Sequence, residues 1–129
     1  TLIMSFSTII WIFLGGGFGT LVRYGIGTQV SGLSKSNFPI GTLAVNLIGC
    51  LIIGLIYGYF EKHQETQSDW KLILTIGFCG GFTTFSAFSI DAIQLVKGGN
   101  LLLAILYIFS SVFIGILLSI LGWQIAKNY

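Results

Sequence analysis

The chain's densest set of groups able to bind a small ion lies in Gly77-Phe78-Cys79-Gly80-Gly81-Phe82-Thr83-Thr84-Phe85-Ser86-Ala87-Phe88-Ser89. Gly80-Gly81 sets two residues without side chains in succession, each about 1 kcal/mol unfavourable in intrinsic helix propensity. Four hydroxyls (Thr83, Thr84, Ser86, Ser89) and three phenyl rings (Phe82, Phe85, Phe88) follow within eight residues. In lipid, backbone groups freed at a break must find partners or line a cavity. The stretch therefore reads as a helix broken at Gly80-Gly81. Carbonyls released around Gly80 and Thr83 suit a hard cation such as Na⁺. A plain glycine kink packed by neighbouring helices is the simpler reading, since glycine is common in membrane helices. Both stand at this point.

Elsewhere in the apolar sequence the polar groups are mostly donors: the Asn46 amide, the hydroxyls of Thr42, Tyr107, Ser110, Ser111 and Ser119, and the Arg23 guanidinium. Donors suit an anion. Phe85 and Phe88, at i and i+3, project from neighbouring positions of one helix, and phenyl edges are weakly positive. With Asn46 they would favour a small, hard anion over large ones. Either ring taken singly is explained by ordinary packing, and only the coupling to the Gly-Gly pair and the hydroxyl run makes a site of them.

What is missing narrows the chemistry further. The first, second and fourth uncharged runs hold no carboxylate, and Asp91 stands near one end of the third helix. A proton-coupled exporter of cationic drugs needs a membrane-embedded carboxylate, so that reading is disfavoured. Asp91 and Gln94 could line a vestibule, but read better as helix-end residues reaching water. Cys50 and Cys79 occur without a CxxC or Cys/His cluster and read as small buried side chains, giving no support to metal or redox chemistry. His63 falls in a charged loop with no second His or Cys beside it. With no nucleotide-binding loop, Ser/His/Asp set or paired carboxylates, the chain does not read as an enzyme. Without a basic patch it does not read as a nucleic-acid binder.

The elements that must position these groups follow from composition. Of 129 residues, 54% are hydrophobic and 8% charged, with a mean hydropathy of +0.93. Uncharged runs cover Thr1–Val22, Ser36–Phe60, Leu72–Ile90 and Gly98–Ala126, of 22, 25, 19 and 29 residues. About 20 apolar residues span a bilayer's hydrocarbon core. The expected fold class is an all-α integral membrane protein, residues 1–129 forming a single domain of four transmembrane helices near 3–27, 40–60, 70–96 and 100–126. The runs do not alternate as barrel strands do, and the first lacks the basic start of a signal peptide. Gly15/Gly19 and Gly54/Gly58 are GxxxG spacings that permit close helix contact. Ser31–Pro39 reads as a polar connection, Glu61–Asp69 as a solvated charged loop, and Lys97-Gly98-Gly99 as a tight turn. Trp70 and Trp123 read as interface anchors on one side.

Four spans put Lys62, Lys71 and Lys127 on one side and Arg23, Lys35 and Lys97 on the other. Three against three gives the positive-inside rule nothing to act on. That balance suits a protein inserting in both orientations, and dual topology leads to an antiparallel homodimer resembling inverted-repeat architecture made from two copies. The broken segments of both copies would then lie near one axis at the bilayer midplane.

At these residues the chain resembles the Fluc (CrcB) family of fluoride channels. The matching stretches are Gly15-Gly16-Gly17-Phe18-Gly19 with Arg23-Tyr24, Gly41-Thr42-Leu43-Ala44-Val45-Asn46, Gly77 through Ser89, and the Gly98-Gly99-Asn100 turn. The resemblance implies an antiparallel dual-topology homodimer with two fluoride paths, located in a prokaryotic plasma membrane (the inner membrane if Gram-negative). It implies passive, selective F⁻ export protecting against fluoride, with one structural Na⁺ per dimer. Asn46 looks like the pore amide and Phe85 and Phe88 like the anion-coordinating aromatic pair. Gly80 and Thr83 look like the carbonyl donors to Na⁺, and Arg23 matches a vestibule arginine. Tyr107 and Ser111 fall on the fourth-helix face expected to line the path, with Thr42, Ser86 and Ser89 as its further hydroxyls. Two departures stand out: Ala87 where many relatives carry a hydroxyl, and Gly115 where some carry a pore serine. They thin the hydroxyl track. The competing readings are a small proton-coupled multidrug-type exporter and a helix-packing subunit of a membrane complex.

Overall fold

The computed structural model describes residues 5–129, so the expected start of the first helix at Ile3 lies outside the described residues. Four helical stretches are long and apolar enough to cross a membrane: Phe6–Gly32, Ile40–Lys62, Asp69–Lys97 and Leu101–Asn128. Helix α1 (Phe6–Gly32) is capped by Ser5, whose hydroxyl accepts from the Thr8 N–H at 3.2 Å. It runs past the expected end at Gly27 into the stretch read as a connection. Nothing there stops a helix, because Thr28 returns its hydroxyl to the Tyr24 carbonyl at 2.7 Å and the first proline comes only at Pro39. Helix α2 (Ile40–Lys62) starts directly after Pro39, and so takes in Glu61 and Lys62 of the charged loop.

The third span is built in pieces. A turn of helix, α3 (Asp69–Leu72), leads into a π-helical segment (Ile73–Cys79), then α4 (Gly80–Phe82) and α5 (Phe85–Lys97). The sequence places a break at Gly80-Gly81, but the backbone stays helical there. Gly80 has φ −61° and ψ −37° and Gly81 lies within α4, both helical. Extended geometry comes at Thr83 (φ −93°, ψ 159°) and Thr84 (φ −151°, ψ 116°). Gly81 has a different reason to be glycine: a Cβ there would run into the Gly16 carbonyl oxygen of α1. Helix α6 (Leu101–Asn128) follows a turn in which Gly99 has φ +78°, a value glycine adopts without strain.

Two seams hold the helices together. Helix α2 lies along α6, and α1 lies along the π segment and α4. Both are glycine seams in which one backbone touches another. A Cβ on Gly54 would meet the Ser119 carbonyl, one on Gly58 the Trp123 carbonyl, and one on Gly19 the Phe78 carbonyl. Close approach of this kind replaces the hydrophobic driving force that lipid removes. At one end Glu61 accepts from Trp123 Nε1 at 2.7 Å and from Lys127 at 2.8 Å, while Thr8 donates to Asp69 at 3.0 Å. The largest fully buried side chains among the described residues are Tyr107, Phe82, Val45 and Cys79. Apolar side chains such as Phe13, Leu21, Phe109 and Phe113 face outward, as suits a lipid surround.

Candidate ion-binding site

One side chain from α2 fixes the extended residues. Asn46 Oδ1 accepts from the Thr84 N–H at 2.8 Å, and Asn46 Nδ2 donates to the Thr84 carbonyl at 3.1 Å. In a continuous helix the Thr84 N–H would close onto the carbonyl of Gly80, four residues back. Asn46 takes that donor away. Thr84 then caps α5, its hydroxyl accepting from the Ala87 N–H at 3.1 Å, which is the donor a continuous helix would direct to the Thr83 carbonyl. The carbonyls of residues 80–83 therefore lose their usual helical donors, those of Gly80 and Thr83 among them, while that of Gly81 accepts from Thr20 Oγ1 at 3.4 Å. The Thr83 side chain is turned away, donating to the Cys79 carbonyl at 2.9 Å. An Asn amide carries two N–H donors, so one stays unengaged by Thr84.

Asn46, Gly80, Thr83, Phe85, Phe88 and Ser111 line one cavity of about 400 Å³, which no charged side chain borders. Phe85 and Phe88 have ring centroids 5.4 Å apart at 42°. Phe85 is 79% exposed. Phe88 packs on Tyr107, 5.3 Å away, and Phe38 meets the same tyrosine edge-on at 5.7 Å. Tyr107 is wholly buried, its hydroxyl donating to Asp91 Oδ2 at 3.3 Å. Ser111 Oγ is buried and has no partner among the described residues.

A second, larger cavity of about 840 Å³ contains Arg23, Thr42 and Ser86 along with Asp91. Thr84 lines both cavities and stands between them. The structure thus divides the nine sequence-derived anion-path residues. Asn46, Phe85, Phe88 and Ser111 share the smaller cavity, and Arg23, Thr42 and Ser86 the larger. Tyr107 joins them through Asp91 and Phe88, while the Ser89 hydroxyl is engaged with the Phe85 carbonyl at 2.9 Å. Arg23 sits well inside α1, because that helix runs on to Gly32.

Two residues were missed by sequence reasoning. Asp91, read as a helix-end group reaching water, is only partly exposed and holds Tyr107 at the larger cavity. The signal in the sequence is its spacing from Phe88, since residues at i and i+3 are neighbours on a helix surface. In the sequence Thr84 stands out only as one hydroxyl among four. A threonine directly before a helical run is an N-cap signal, and it marks where α5 begins.

Comparison with known proteins bears on the whole chain. A family profile described as "CrcB-like protein, Camphor Resistance (CrcB)" matches residues 10–123. A Flavobacterium psychrophilum protein named "Fluoride-specific ion channel FluC" is 44% identical over 121 residues, covering 94% of this chain and 98% of the relative. A Pseudomonas fluorescens protein of the same name is 44% identical over 122 residues, covering 95% and 98%. One from Oceanobacillus iheyensis is 39% identical over 118 residues, covering 92% and 90%. With the profile running from α1 into the last turns of α6, and such identity along nearly the full length of each relative, the chain belongs to the CrcB family.

Proposed function

We propose that this protein is a fluoride-selective channel that passes F⁻ out of the cell down its gradient and so protects against fluoride. The observation that carries the reading is the cavity joining Asn46, Ser111 and the ring pair Phe85–Phe88 with no charged side chain at its wall. Neutral donors and ring edges hold an anion loosely enough to let it leave, which conduction requires. The fluoride-specific channels among its relatives supply the identity of the anion. Arg23, Thr42 and Ser86 in the larger cavity would gather the anion from water before it reaches Asn46. The protein works in a prokaryotic plasma membrane, the inner membrane where there are two, and is not an enzyme.

The working unit is an antiparallel homodimer of chains inserted in opposite orientations. Its support is the equal division of cationic residues between the two sides and the exposure of Phe85 beside the cavity, which leaves room for a second chain. Gly80 and Thr83, whose carbonyls lack helical donors, fit a monovalent cation in number and kind when two chains each contribute both. Bound there, Na⁺ supplies a fixed positive potential beside the anion route. A proton-coupled exporter is not favoured, because the smaller cavity has no carboxylate.

The test is fluoride release from liposomes that contain only this protein, with chloride-loaded liposomes alongside. Rapid fluoride release with chloride retained is the expected result. No fluoride release, or chloride released equally fast, would overturn the reading.

A further inference from the structure

We propose that the Cys50 thiol is a pore-lining donor that replaces a missing polar group on α6. This rests on the channel reading above. Along the face of α6 that meets α2, positions recur each turn at Tyr107, Ser111, Gly115 and Ser119. Tyr107 is engaged with Asp91, and Ser119 donates to the Cys50 carbonyl at 2.9 Å. Ser111 Oγ is buried without a described partner and belongs to the wall of the smaller cavity. At the next turn Gly115 offers no side chain.

Cys50 fills that gap from the opposite helix. Its Sγ lies 3.2 Å from where a Cβ on Gly115 would stand, and Cys50 lines the same cavity as Ser111. The sulfur thus occupies the space a polar side chain at position 115 would use, and its S–H donates to no described group. A thiol is a weak donor, but a dehydrated small anion is a strong acceptor. The polar wall therefore passes from Ser111 on α6 to Cys50 on α2 instead of continuing up α6.

The experiment moves the polar group back. Fluoride efflux is measured from liposomes with Cys50→Ala, Cys50→Ser and the double variant Cys50→Ala/Gly115→Ser, each first checked by gel filtration. Cys50→Ala should slow efflux about fivefold, as expected for loss of one donor. Cys50→Ser and the double variant should both return to within about twofold of the unaltered protein. Unchanged efflux in Cys50→Ala, an equal loss in Cys50→Ser, or no recovery in the double variant each overturns the proposal. Capping the thiol on already folded protein with methyl methanethiosulfonate gives a check independent of folding. With the adduct located at Cys50 by mass spectrometry, efflux should fall, and unchanged efflux overturns the assignment. If the unaltered protein releases no fluoride at all, the channel reading fails instead.

Discussion

Asn46 of α2 grips Thr84 by both its backbone groups, accepting from the N–H at 2.8 Å and donating to the carbonyl at 3.1 Å. The contact joins residues 38 apart in sequence and holds the third span out of helical geometry where the two cavities meet. Asn46→Ala should reduce fluoride efflux by about 10- to 100-fold, the worth of one hydrogen bond to a charged partner. It should also lower the melting temperature in detergent. Asn46→Asp keeps the acceptor for the Thr84 N–H but adds a negative charge to the smaller cavity, the proposed anion route. It should melt closer to the unaltered protein yet conduct no better than Asn46→Ala. Conduction by Asn46→Asp at the unaltered rate would show that residue 46 is structural only.

Thr84 provides the cap from which α5 starts. Thr84→Ala leaves the Ala87 N–H without its acceptor and should cost about 1 kcal/mol, read as a shift in thermal or denaturant unfolding. Thr84→Ser keeps the oxygen and should recover most of that stability. Equal losses in the two would mean that the threonine methyl, not its hydroxyl, matters.

Phe85 and Phe88 should separate stability from conduction. Phe85 is 79% exposed on the single chain, so Phe85→Ile should change the chain's own stability by less than about 0.5 kcal/mol. Phe88 packs on Tyr107, and Phe88→Ile should cost about 1 kcal/mol more. Both should abolish measurable efflux while the protein still elutes at the volume of the unaltered protein. Survival of efflux in both would remove the rings from the anion path.

The glycine seams divide the glycines into two kinds. A Cβ on Gly81 would strike the Gly16 backbone, whereas one on Gly17 would have nothing within 4 Å. Gly81→Ala should therefore destabilise by about 1–3 kcal/mol through overpacking. Gly17→Ala should be neutral or slightly stabilising by helix propensity. Thermal melts of the two variants side by side test the assignment.

Much of this arrangement can be read from the chain, and the parts that cannot share one cause. The four spans are legible because uncharged runs of bilayer length leave no other home for the residues. The donor character of the site is legible from Asn46, Ser111 and the hydroxyl run. The position of the extended residues is not. Glycine propensity points to Gly80-Gly81, a local signal, but the outcome depends on which acceptor wins the Thr84 N–H. Asn46 wins it from another helix, and no window of sequence contains both residues. The Asp91–Tyr107 contact is hidden for a similar reason. A carboxylate near a helix end commonly reaches water, and only the packing of α6 brings the Tyr107 hydroxyl to it. The end of α1 lies beyond Gly27 because its polar residues satisfy themselves within the helix, as Thr28 does on the Tyr24 carbonyl.

The grip of Asn46 on Thr84 also has a consequence for biogenesis. Before α2 and the third span meet, no side chain competes for the Thr84 N–H, and in lipid the Gly80 carbonyl is the nearest acceptor able to satisfy it. The expectation is that the span enters the membrane as one uninterrupted helix and that the carbonyls of residues 80–83 are unmasked on docking. On the proposed function, ion-binding capacity would then arise only once the two helices have docked. A synthetic peptide of residues 69–97 in detergent micelles should accordingly protect the Thr84 amide from hydrogen exchange as well as its helical neighbours. Fast exchange at Thr84 in that peptide would show that the interruption is local after all.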